Sequence, residues 1–131
     1  MSSEMLHEAA EKLSPATVDR HRATVSLMEE LEAVDWYDQR IDAATDPALR
    51  AILRHNRDEE KEHAAMVLEW LRRQDPVLDE QLRTYLFKEG DILGVEAAAE
   101  GQEKTAGGTD NAGVSDGCLG IGDLRGEETA P

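Results

Sequence analysis

The sequence is poor in the side chains that build a self-sufficient interior. Of its 131 residues 4% are aromatic: two tryptophans, two tyrosines and one phenylalanine. Most large apolar residues fall in roughly the first 96 positions, too few for an ample core, so association with further copies is the expected remedy. A single cysteine, Cys118, excludes an intrachain disulfide and a cysteine-ligated zinc site. No apolar run reaches the ~20 residues of a membrane span, and Met1-Ser2-Ser3-Glu4 lacks the basic and apolar regions of a signal peptide. The expectation is a bacterial-type cytoplasm and no membrane partner. Basic residues are also scarce, 14 Lys and Arg against 29 Asp and Glu, and the formal net charge of -15 argues against nucleic acid as a partner. Metal cations suit that charge better, although acidity also serves solubility.

What is present is helical periodicity. Residues 1–16 read as a lead-in with a short amphipathic patch at 6–13, stopped by Ser14-Pro15. From Thr17, a candidate cap, Val18, Val25, Met28, Leu31, Val34 and Ile41 recur at spacings of three and seven, as one long apolar stripe requires. Thr45-Asp46-Pro47 breaks this helix and starts a second, with Asp46 placed to cap and Pro47 at the first position. The second helix is predicted over about 48–73, with Leu49, Ile52, Leu53, Met66, Leu68 and Leu71 along its inner side and Arg72-Arg73 complementing the dipole at its end. Asp75-Pro76 restarts the chain into a short third helix ending near Gly90. No β alternation occurs, so the fold class is all-α. Two long antiparallel helices and a short third one give a helical domain over 17–96.

Residues 97–131 hold eight of the ten glycines and almost no large apolar residue before Leu119. Such a composition does not offset its ordering entropy and predicts a disordered tail. An apolar islet at 118–125 interrupts it, with Leu119, Ile121 and Leu124 as spaced anchors of the kind a linear docking motif carries.

The chemistry centres on Glu60-Lys61-Glu62-His63. Glu60 and His63, three apart on a helix, share one face, and ferritin-like di-iron proteins combine such a Glu-x-x-His with a glutamate from a neighbouring helix. Glu30 is the candidate for that glutamate. Antiparallel packing about Thr45-Asp46-Pro47 sets it, about 16 residues before the turn, level with residue 62. Mixed oxygen and imidazole ligands suit iron or manganese. One glutamate and one Glu-x-x-His make half of the usual set, so a second copy on a two-fold axis is expected to bring the other half. Tyr37, two turns after Glu30, is a candidate hydrogen-bond donor or one-electron source, or simply packs, as Trp36 is expected to. Glu29 and Glu32 adjoin Glu30, and His55, Glu59 and Glu62 form an i, i+4, i+7 row beside the Glu-x-x-His. These guide or hold cations, or are ordinary surface charge. Asp35, Asp38 and Asp42 read as surface.

The stretches His21-Arg22-Ala23, Met28-Glu29-Glu30-Leu31-Glu32-Ala33-Val34-Asp35-Trp36-Tyr37 and His55-Asn56-Arg57-Asp58-Glu59-Glu60-Lys61-Glu62-His63-Ala64 resemble the encapsulated ferritin family. Leu68-Glu69-Trp70-Leu71-Arg72-Arg73 and Leu82-Arg83-Thr84-Tyr85-Leu86-Phe87 extend the resemblance across roughly residues 17–96. It implies a ferritin-like half-bundle completed to four helices by dimerisation, dimers joined in a ring-shaped decamer, and a ferroxidase that converts Fe(II) to Fe(III) with dioxygen at a di-iron site shared across the dimer. By position it implies Glu30, Glu60 and His63 as the iron ligands, Tyr37 and Trp36 beside them, Glu29 and Glu32 on the path of incoming iron, and His55, Glu59 and Glu62 as a secondary site. Calcium or another divalent cation is a further candidate at such acidic positions. The 118–125 islet resembles the peptide that docks such cargo to the inner wall of an encapsulin shell, with Cys118 and Asp123 where serines are usual. That implies the lumen of an encapsulin nanocompartment as location and the shell as the iron-storage volume. The competing reading is a non-catalytic helical cargo or adaptor that binds divalent cations passively. A rubrerythrin-type peroxide reductase lacks its second Glu-x-x-His and its four cysteines.

Overall fold

Two long helices, each opened by a proline, run past one another in opposite directions in the computed structural model, which describes residues 5–106. The first, α1 (Pro15–Ala43), is capped by Ser14, whose hydroxyl accepts a hydrogen bond from the Thr17 N–H at 3.2 Å. Ser14-Pro15, expected to end the preceding patch, is instead the cap and first residue of α1. Proline's fixed φ and missing N–H cost nothing there. The cap is therefore Ser14 and not Thr17, whose hydroxyl accepts from the Arg20 guanidinium at 3.2 Å. Before it lies one 3-10 turn, Ala10–Lys12.

Asp46 starts α2 (Pro47–Gln74) as expected, accepting from the Leu49 N–H at 2.9 Å. Asp75 starts α3 (Pro76–Tyr85) by accepting from the Val77 and Leu78 N–H groups at 3.0 and 3.1 Å. This helix stops at Tyr85, short of the expected Gly90, because Phe87 takes a left-handed φ of 57° with its ring wholly in solvent, followed by Gly90 at 91°. A fourth helix, α4 (Ile92–Ala106), follows. Asp91 accepts from the Gly94 N–H at 3.1 Å at its start, and the helix continues beyond position 96. The alanines at 97–99 have the highest helix propensity of any residue, and Val95 and Ala99 are half-buried where α4 meets α3. All described elements are helical. The anchors expected at Leu119, Ile121 and Leu124 lie outside the described residues.

The pairing of α1 and α2 is pinned between its middle and the turn that joins them. Arg57 donates to Asp38 at 2.8 Å across the helix pair and to Asp58 at 3.0 Å on its own helix. Asp38, expected to be plain surface, thus helps fix the register of α1 on α2. α3 is tied back by Arg72, which binds Glu69 on α2 and reaches Asp79 on α3; Asp79 in turn accepts from Arg83 at 3.0 Å.

The interior of one chain is small. Among the described residues the buried apolar side chains are Ile41 and Ala64, and even these keep 5% and 7% of their surface exposed. Leu49, Ile52 and Met66, expected on the inner side of α2, stand 46%, 58% and 58% exposed, and Leu31 of the α1 stripe is 56% exposed. The periodicity is real, but two helices cover only part of each stripe. Covering the exposed half of each such side chain with a further copy would gain about 1 kcal/mol.

Candidate metal centre

Helix geometry and the antiparallel pairing bring three ligand-bearing side chains to one point. Glu60 and His63 sit one turn apart on α2, and the imidazole Nδ1 lies 3.2 Å from Glu60 Oε2. Glu30 reaches in from α1, its Oε2 3.7 Å from the same Nδ1. One ligand atom from each of the three falls within 4.8 Å of the other two. Arg57, one turn before Glu60, holds the helices in register through Asp38. The two carboxylates are sheltered, with side chains 26% and 24% exposed, whereas the imidazole at 46% opens outward.

The electrostatics follow from two carboxylates meeting without a cation. The hydrogen bond with Glu60, helped by partial burial and by the charge of Glu60, raises the Glu30 carboxyl above its usual range. Glu60 is lowered, chiefly by accepting that bond and then by the one from His63. When the pair holds a proton it sits on Glu30, whose O–H then donates to Glu60. The Glu60 carboxylate in turn raises His63, with the charge of Glu30 adding to it. Oxygen, oxygen and imidazole nitrogen within 4.8 Å fit an ion of the iron or manganese type. Three such ligands leave half of an octahedral shell open. The same donor set accepts other divalent ions.

The remaining predicted residues divide. Tyr37 is half-buried, two turns along α1 from Glu30, and Trp36 is 48% exposed. Arg40, which the sequence reading passed over, places its guanidinium carbon 5.5 Å from the Tyr37 ring centre and 6.0 Å from that of Trp36. Its i+3 and i+4 spacing from the two rings was the available signal. His55 and Glu59 meet at 3.0 Å, well exposed, but Glu62 does not close them into a cluster; it lines an open groove with Met66, Glu69 and Trp70. Glu29 and Glu32 stand exposed on α1. Among the described residues, Glu30, Glu60 and His63 are the group of three that converges as a metal site would require.

Comparison with known proteins places these residues in context. Residues 5–89 match the sequence profile of the EncFtn-like family. The chain is 62% identical over 128 residues to an encapsulated ferritin-like protein of Rhodospirillum rubrum, covering 96% of this chain and 91% of that one. It is 50% identical over 119 residues to a ferritin-like protein of Thermotoga maritima, covering 91% and 96% respectively. A crystal structure of a Nitrosomonas europaea protein superimposes with a TM-score of 0.65 at 59% identity, over 66% of this chain and 96% of that one.

Proposed function

Because the chain belongs to the EncFtn-like family, we propose that it is a ferroxidase that oxidises Fe(II) to Fe(III) with dioxygen at a di-iron site formed between two copies. The observation that carries this reading is the convergence of Glu30, Glu60 and His63 as half of a di-metal ligand set on an open face. The flank of α2 that bears His63 also bears exposed apolar residues at helical spacing, Ile52 before it and Met66 and Trp70 after it. A second copy on a two-fold axis through that flank covers this surface and supplies the other half-site.

Iron is the substrate. In the proposed dimer Glu30 and Glu60 of both chains contribute four carboxylates, whose charge balances two ferrous ions and attracts the ferric product more strongly. Each ferrous ion gives up one electron, and dioxygen receives it. Tyr37, two turns along α1 from Glu30, serves as a hydrogen-bond donor near the site. Glu29 and Glu32 guide incoming cations, and His55, Glu59 and Glu62 hold iron, calcium or another divalent ion transiently. The dimers join into a ring-shaped decamer. An open ring encloses no storage volume, so the product is deposited in the lumen of an encapsulin shell, to which Leu119, Ile121 and Leu124 dock. The encapsulated relative from Rhodospirillum rubrum supports that location.

The test is ferrous-iron oxidation in air, followed by absorbance, for the wild type and for Glu30→Ala, Glu60→Ala and His63→Ala at verified assembly state. Loss of oxidation in all three, with dilution to monomer abolishing the wild-type rate, supports the reading. Unchanged rates in the variants overturn it and favour a passive cation-binding cargo.

A further inference from the structure

Arg40 is a cation placed between two oxidisable rings. Its guanidinium carbon lies 5.5 Å from the centre of Tyr37 and 6.0 Å from that of Trp36, both within the range over which a cation and a ring quadrupole attract. Among the described residues it has no carboxylate within ion-pair distance, although aspartates stand close by in sequence at 35, 38 and 42: Asp35 accepts from Gln39 at 3.2 Å, and Asp38 is taken by Arg57 at 2.8 Å. The charge of Arg40 is therefore left to act on the rings. Tyr37 stands two helical turns from Glu30, a rise of about 10 Å, so the rings are neighbours of the site at which dioxygen takes up electrons.

We propose that Arg40 is a positioning residue that opposes the one-electron oxidation of Trp36 and Tyr37, so that oxidising equivalents produced at the Glu30, Glu60 and His63 cluster are met by ferrous iron and not by protein. The protective role rests on the ferroxidase reading; the effect of the charge on the rings does not. Removing an electron from an aromatic ring weakens its attraction for a nearby cation and, at Trp36, creates a positive charge that Arg40 repels. The electron goes to the attacking one-electron oxidant, which is reduced. The ring then loses a proton to solvent, from the indole nitrogen of Trp36 or the phenol of Tyr37, and a neutral radical remains. A positive charge beside the ring disfavours the first of these steps for both residues.

The second tryptophan supplies an internal reference. Within one chain Trp70 is 39% exposed and Trp36 is 48% exposed, and the proposed dimer covers Trp70 further, so exposure alone predicts that Trp36 reacts at least as fast in either state. The experiment treats the full-length, metal-free protein with radiolytically generated azide radicals, a one-electron oxidant, and reads the Trp36 to Trp70 oxidation ratio by peptide mass spectrometry. The ratio is expected below one in the wild type. It is expected to rise about fivefold in Arg40→Met, which keeps much of the bulk but not the charge, and to stay near the wild-type value in Arg40→Lys. Equal ratios in the wild type and Arg40→Met overturn the proposal, as does a rise of the same size in Met and Lys variants, which reports lost shielding and not lost charge. No iron is present, so failure here is distinct from failure of the ferroxidase reading, which the ferrous-iron assay alone decides.

Discussion

Glu30 and Glu60 face one another across α1 and α2 as a carboxyl and a carboxylate: the first is held above its ordinary range and the second below it by the hydrogen bond between them. Together with the raised imidazole of His63, this makes the metal-free site a holder of protons in the place where a cation would sit. An ion that binds all three must displace them. Metal binding should therefore release protons, and affinity should fall as pH drops, with the decline beginning above the ordinary histidine value of 6.5. Titration of Mn(II) into weakly buffered protein with a pH indicator checks this. Binding without proton release between pH 6 and 7 contradicts it.

The same pair sets a conflict between stability and function. A carboxyl raised above its ordinary 4.5 lends stability that is full below that value and is lost as pH rises through the raised one. Above the raised value the metal-free pair is ionised and repels. Glu30→Gln, whose amide N–H donates to Glu60 without a charge, should raise the melting temperature of the metal-free protein by a few degrees at pH 8 while weakening metal binding at least tenfold. Thermal unfolding with and without Mn(II) separates the two effects. The wild type should gain from the ion and the variant should not.

Ile52 and Trp70 bracket His63 along one flank of α2, and the proposed dimer buries them. Ile52→Glu or Trp70→Glu should shift the assembly toward monomer in sedimentation and abolish iron oxidation, although neither residue is a ligand. Oxidation by a monomeric variant at the wild-type rate would place the complete site within one chain.

Arg72 links α2 to α3 through Glu69 and Asp79, and the guanidinium beside Glu69 lowers that carboxyl to about 2. A lowered carboxyl contributes stability above its ordinary 4.5, and loses it as pH falls toward about 2. Protection of the α3 amides, relative to the intrinsic exchange rate at each pH, should thus fall over that window, and less so in high salt, which already screens these partly exposed groups. Arg72→Gln should exchange faster at neutral pH and show no further loss of protection over the same window.

The tail is tested separately. A chain ending at Ala106 should oxidise iron at the full-length rate and fail to be captured by a co-expressed encapsulin shell. Leu119→Asp with Ile121→Asp in the full chain should reproduce the loss. Capture of either variant at the wild-type level would remove the 118–125 islet from the docking role.

Much of the site was legible because it depends on spacing. Glu60 and His63 share a face by helix geometry alone, and counting back from Asp46, whose cap and proline mark the turn, aligns Glu30 with them. What escaped depended on partners or on weak local signals. Ser14-Pro15 was open to reading as a stop or as a start, and only the Thr17 N–H bonded to Ser14 decides between them. α4 escaped because few large apolar residues mark it, whereas alanine propensity and the Asp91 cap are what form it. Leu49, Ile52 and Met66 were expected on the inner side of α2 and stand largely exposed in one chain, because periodicity does not say whether the covering surface belongs to the same chain. Asp38 and Arg40 act through contacts whose partners, Arg57 and the two rings, no single-helix pattern singles out.

One chain carries one Glu30, one Glu60 and one His63, and in the proposed dimer that arithmetic governs inheritance of defects. A cell making equal amounts of intact and His63-deficient chains would, with random pairing, form only about a quarter of its pairs from two intact copies. A ligand lesion in one of two co-expressed gene copies would thus act dominantly: the faulty chain disables its intact partner, and the loss of iron-handling capacity exceeds the share of faulty protein.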